Sequence, residues 1–267
     1  MSGGLYWAPF ATVNNDWLGA QNLFTLLPVA SSAFPAHFNE RGLRLDGAVT
    51  VDPSTAVNYV LSVGNGVENF DISGQTSFDT DEGKTIISRV GVFPGLGRNL
   101  EVGGSIARGG LRDSATASRP ADDPTRYQAR FTAFALDATY RTGNLTARGY
   151  WLRSTEHFGA AARAASTPTS LDRSGYMVEA GYLIDVTAGP AGIRRVLPKV
   201  RFDRSTADLL GPGGSGKEEV RTSVYSFGIT LAPQERATFS LEYHFRREGA
   251  RRALDNDRLV ARLTAEF

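Results

Sequence analysis

Apolar and polar residues alternate with a period of two along almost the whole chain, and this constrains the fold more than any other feature. In Ala237 to Phe245, the residues Ala237, Phe239, Leu241, Tyr243 and Phe245 take one face. Thr238, Ser240, Glu242 and His244 take the other. Tyr176 to Asp185 and Leu259 to Phe267 repeat the pattern. Helical periodicity is scarce: only Asp16 to Ala30 could form a helix, and Pro28 limits it. The alternation predicts about twelve strands, at 4–13, 42–51, 56–64, 84–93, 99–108, 126–140, 144–154, 175–185, 196–206, 219–231, 236–247 and 257–267. That is roughly half the chain, well above the ~20–25% strand of an ordinary domain, so the architecture is all-β.

The connections decide between all-β architectures. Asp52 to Thr55, Pro94 to Arg98, Arg141 to Gly143, Thr187 to Arg195 and Ala232 to Glu235 are short. Asn14 to Arg41, Asn65 to Gly83, Gly109 to Thr125, Thr155 to Ser174, Ser205 to Lys217 and Glu248 to Asn256 are longer and mostly polar. Short and long connections fall on opposite ends of the strands. This predicts an antiparallel transmembrane β-barrel over 1–267, with short periplasmic turns and long extracellular loops. Its apolar face would meet lipid and its polar face line water. Aromatic residues near segment ends, such as Tyr6, Trp7, Tyr140, Trp151, Tyr176, Tyr182, Tyr243 and Phe245, suit the girdles of such a barrel. The rival is a soluble β-protein that buries its aromatic stripes.

Composition removes several function classes. Lys plus Arg is 29 and Asp plus Glu is 28, a net charge of +1, which argues against a nucleic-acid partner. Cysteine is absent, so thiol nucleophiles and zinc–thiolate sites are excluded. The histidines, His37, His157 and His244, are far apart, and neither a metal nor a cofactor is implied. No stretch is apolar enough for a transmembrane helix. The mean hydropathy of −0.23 does not argue against a barrel, because only alternate strand residues face lipid. The N-terminal MSGGLYWAPF lacks the basic and apolar regions of a secretory signal, so the expectation is an intracellular protein or a processed or truncated piece.

Several segments, in order, resemble the phosphate-selective porin O/P family of Gram-negative outer membranes. They are Gly4 to Phe10 (GLYWAPF), Leu23 to Phe34 (LFTLLPVASSAF), Glu40 to Val49 (ERGLRLDGAV), Val60 to Gly66 (VLSVGNG), Gly83 to Pro94 (GKTIISRVGVFP) and Leu197 to Thr206 (LPKVRFDRST). The terminal LVARLTAEF resembles the outer-membrane sorting signal that closes on Phe. The resemblance implies a bacterial outer-membrane porin passing small hydrophilic solutes with a preference for anions such as phosphate, and a homotrimer. The family has about sixteen strands and an export signal, so the first strands would be missing here. A truncated product and a narrower barrel both fit.

Arg44, Arg89, Arg148, Lys199, Arg201, Arg246 and Arg262 fall on the polar strand faces and are the candidate pore-lining residues. Basic rings in a pore lower the barrier to anions. The alternative is pairing with Asp46, Glu101, Asp137, Glu179, Asp203, Glu242 and Glu266, which would stiffen the wall. The segment 14–41 holds Trp17, Phe24, Leu27 and Phe34 and is too apolar for a solvated loop; it is expected to fold into the lumen and narrow it. Enzymatic activity is not expected, because no recognisable serine motif accompanies His244. Gly213 to Gly216 with Lys217 lacks the strand–loop–helix context of a phosphate loop. A non-conducting binding or adhesion barrel is the other functional reading.

Overall fold

A computed structural model describes residues 1–11, 23–34, 39–64, 84–95, 99–111, 129–157, 170–187, 192–210, 217–234, 237–249 and 256–265. The strands are β1 (Ser2–Trp7), β2 (Asn39–Thr50), β3 (Thr55–Gly64), β4 (Thr85–Pro94), β5 (Leu100–Leu111) and β6 (Ala129–Thr142). They continue as β7 (Leu145–His157), β8 (Ser170–Tyr182), β9 (Ile184–Asp185), β10 (Arg195–Leu210), β11 (Lys217–Gln234), β12 (Ala237–Gly249) and β13 (Arg258–Ala265). Each pairs antiparallel with its sequence neighbour, except that β8 pairs directly with β10 while the two-residue β9 also pairs β10. The result is one all-β antiparallel sheet of thirteen strands. Its ends, β1 and β13, are not paired with each other among the described residues.

Three boundaries depart furthest from the sequence expectation; the others lie within three residues of it. β1 stops at Trp7, and Ala8, Phe10 and Ala11 turn into the interior, with Ala11 at a φ of 51°. β8 begins five residues earlier than its alternation shows, and β10 runs on to Leu210. In both cases cross-strand pairing, such as Ser154 with Arg173 and Leu210 with Lys217, extends ladders through polar sequence. The chain also breaks at Leu183, leaving β9 as a thirteenth strand.

The alternation sorts the two faces as expected. Leu136, Val178, Val200, Phe227, Leu241 and Leu263 are exposed on the outer face, while Asp137, Glu179, Lys199, Arg201, Ser226 and Glu242 are buried on the inner one. A soluble sandwich would bury the first set. Apolar outside and polar inside is the arrangement a lipid solvent selects.

Candidate functional site: the inner wall and the segment against it

Leu23–Phe34 lies against the inner face, crossing it from β10–β12 to β6–β7, with a 3-10 turn at Val29–Ala33. Its apolar end packs first. Phe34 stacks on Phe10 with ring centroids 3.9 Å apart and meets Phe131 at 6.4 Å. Ala30, Ala33 and Phe34 join Ile87, Ala133, Leu152 and Met177 in one buried cluster, against which Leu27 also packs. Gly175 lets the turn approach: a Cβ there would stand 2.4 Å from the carbonyl oxygen of Ala30.

The other end is held by charge. Glu242 accepts from the Thr25 amide (2.9 Å), the Thr25 hydroxyl (2.9 Å) and Lys199 Nζ (2.8 Å). Lys199 also donates to the Leu23 carbonyl and to Ser240. Arg201 Nη1 donates to the Leu26 carbonyl at 2.8 Å, and Asp203 accepts from the Val29 amide at 2.6 Å. Phe24 packs against both cations, its centroid 5.1 Å from Lys199 Nζ and 4.8 Å from Arg201 Cζ. Ser154 Oγ donates to the Ala33 carbonyl at 2.6 Å. Buried polar groups need partners of this kind, and the wall supplies them to a segment with little internal hydrogen bonding.

All seven candidate pore-lining residues lie on the inner face, but most are engaged there. Arg89 bridges Glu101 (2.9 Å) and Asp137 (2.7 Å) over Gly91 and Gly103, which leave it room. Arg148 pairs with Glu179, directly opposite it on β8. Lys199 and Arg201 are buried beneath the segment, and Arg201 also pairs with Asp203 at 3.1 Å. Arg44 pairs with Asp46 at 3.2 Å, and Arg246 with Glu248 at 2.6 Å. Arg262 buries an Nε that has no hydrogen-bond partner. Of the candidate constriction residues, Phe24 and Phe34 are buried and Leu27 is partly so; Trp17 lies outside the described residues. Glu266 lies outside them too.

Between the segment and β10–β13 lies a cavity of about 370 Å³, lined by Leu26, Val29, Arg201, Asp203, His244, Arg246 and Arg258 among others. Basic groups outnumber acidic ones around it. Among the described residues no group of three or more His, Asp or Glu is placed to hold a metal ion.

Sequence reasoning placed Glu242 and Asp203 among wall acids but missed their role as anchors for Thr25 and Val29. Gly175 was missed altogether. Its only signal in the sequence is a glycine at an inward position of a strong strand.

No protein-family model and no curated protein sequence matches the chain. Solved structures do. A loop L8 deletion mutant of OmpT, an outer membrane protein of Vibrio cholerae, aligns with a TM-score of 0.58 at 12% identity, over 98% of this chain and 74% of that one. In-vitro folded OmpT of the same organism gives 0.55 at 12% identity, over 97% and 72%. The form expressed in the outer membrane gives 0.54 at 12% identity, over 96% and 72%. At that identity the likeness is one of fold: the chain has the fold of an outer-membrane β-barrel protein.

The expectation that the chain is not an enzyme does not stand. It rested on His244 having no serine beside it. The fold sets Ser226 directly opposite on β11, with Oγ 2.8 Å from His244 Nδ1, and Glu242 Oε2 lies 3.3 Å from Nε2. Resemblance to OmpT in fold leaves catalysis open.

Proposed function

We propose that the chain is an outer-membrane pore through which small hydrophilic solutes diffuse, anions more readily than cations. The observation that carries this reading is the cavity beside Leu23–Phe34, whose wall presents Arg201, His244, Arg246 and Arg258 against Asp203. A charge-lined aqueous gap lowers the solvation cost of crossing lipid, and excess positive charge lowers it more for anions. The resemblance to phosphate-selective porins points the same way. The paired wall residues Arg89, Arg148 and Lys199 stiffen the wall in this reading. Selectivity then rests on the bases nearest the gap.

Planar-bilayer recording tests it. Exchanging Arg246 and Arg258 together for Glu should move the reversal potential toward cation selectivity. Deleting 24–33 should raise conductance with a smaller change in selectivity. A folded, inserted protein that never conducts, even without the segment, overturns the pore. The clamping of Leu23–Phe34 to the wall would then favour a binding or adhesion barrel.

A further inference from the structure

The cavity beside Leu23–Phe34 is lined by two unlike sets of residues. The segment contributes Leu26, Leu27, Pro28 and Val29, and Val224 on β11 adds to this apolar part. The strands contribute His244, Arg246 and Arg258, with Asn256 just before β13. Register brings the strand residues together. Arg201, Ser226, His244 and Arg258 stand level on β10, β11, β12 and β13, and Asp203, Val224 and Arg246 form the next inward row. The segment is tied down at the β10 end of these rows, by Arg201 to the Leu26 carbonyl and by the Val29 amide to Asp203.

Most of the charge around the cavity is already matched. Arg201 pairs with Asp203 at 3.1 Å, and Arg246 with Glu248 at 2.6 Å. Glu242, beside His244, is held by Lys199 at 2.8 Å, and Glu179 by Arg148. His244 uses both ring nitrogens, on Ser226 and on Glu242. Arg258 is exposed and has no hydrogen bond or ion pair among the described residues. Arg246 keeps an Nε that is buried and lacks a hydrogen-bond partner. The lining therefore offers one uncompensated guanidinium and one orphaned N–H donor, which together suit a single carboxylate.

The apolar part of the lining narrows the class further. Inorganic phosphate carries oxygens in every direction, and those turned toward Leu26, Val29 and Val224 would lose water without gaining a donor. An apolar body in the same place gains in proportion to the area it buries. A mostly apolar cavity with a few placed polar groups is the usual form of a small-molecule site.

We propose that this cavity binds a monocarboxylate with a compact apolar body, its carboxylate at Arg258 and the Arg246 Nε and its body against Leu26, Val29 and Val224. The inference deepens the pore reading, on which it rests for the solute's route to the cavity, and it names a solute other than inorganic phosphate.

Calorimetric titration of the full chain folded in detergent micelles, with empty micelles subtracted, tests it with phenylacetate, acetate, phenylacetamide and inorganic phosphate. Phenylacetate should bind about tenfold or more tighter than each of the others. Acetate lacks the body, phenylacetamide lacks the charge, and phosphate has oxygens where the body should be. Arg258→Gln should lower phenylacetate affinity about tenfold and leave phenylacetamide unaffected. Undetectable phenylacetate binding overturns the inference, as does any of the other three binding equally well; these comparisons use the parent chain and do not depend on the variant. Unchanged phenylacetate affinity in the folded Arg258→Gln variant overturns it too. Bilayer recording on the same preparation separates the two readings. Conduction without a preference for phenylacetate overturns this inference alone, whereas phenylacetate binding without conduction overturns the pore and leaves the site standing.

Discussion

Replacing Glu242 by Gln should weaken the barrel and loosen the segment on its wall. Glu242 and Lys199 are both fully buried at the side chain and 2.8 Å apart. Their strands are separated by β11, where Gly228 is the residue between them, and a Cβ on Gly228 would come within 2.8 Å of Lys199 Cε. The Gln variant keeps one acceptor for Thr25 but leaves the ammonium with two neutral acceptors, the Leu23 carbonyl and Ser240. Breaking a buried pair from one side costs about 3–5 kcal/mol. That is roughly two to three and a half orders of magnitude in the folding equilibrium. Removing both charges, as Lys199→Met with Glu242→Gln, should recover most of the loss, since neutral replacement of a buried pair is close to neutral in energy. Urea titration of the folded protein in detergent micelles measures the cycle, and bilayer recording should show noisier, larger currents for the single variant only. A single variant within about 0.5 kcal/mol of the parent, or a double variant no better than the single, refutes the claim that this pair anchors the segment.

Three further outcomes follow from the packing and the turns. Gly175→Ala should destabilise by about 1–3 kcal/mol in urea titration, because the new Cβ meets the backbone of Ala30 and cannot be accommodated by a side-chain rotation; the parent's midpoint would contradict the observed packing. Leu136→Arg, mid-strand on the outer face, should cost about 2–4 kcal/mol on folding into vesicles, and Ser174→Arg, near the extracellular end, about 0–1 kcal/mol; equal costs would place the outer face somewhere other than in lipid. At the turn between β2 and β3, Asp52 is held down to about 2, chiefly by the Ser54 hydroxyl and then by the Ser54 amide. A depressed carboxyl stabilises the fold above its unfolded value and loses that contribution as pH falls through the folded one. Ser54→Ala should therefore raise the Asp52 titration toward the ordinary carboxylate range by NMR, and an unchanged midpoint would remove the hydroxyl as the cause.

The part legible in the sequence was the part with a local period. Alternate side chains of a strand must point to opposite faces, so Phe239, Leu241 and Tyr243 were assigned together, and Glu242 and His244 apart from them, without any knowledge of neighbours. Turn and loop lengths were equally readable, and they ordered the strands, because antiparallel neighbours need only short links. Boundaries failed where pairing and not pattern extends a strand, as at Ser170 and Leu210. The candidate site was half legible. Which bases face inward follows from parity, and the apolar excess of Leu23 to Phe34 marked that segment as buried. What those bases touch depends on register between strands far apart in sequence. Lys199 meets Glu242 only because both stand level with Gly228, and His244 meets Ser226 only because β11 and β12 pair in that frame. A shift of one residue would send either partner to the lipid face. The sequence by itself thus determined an all-β chain with an apolar outside, a polar inside and two unlike ends. Only the tertiary structure decided which charges neutralise one another, where the segment is clamped and where a gap is left, because those depend on side chains that meet across the sheet.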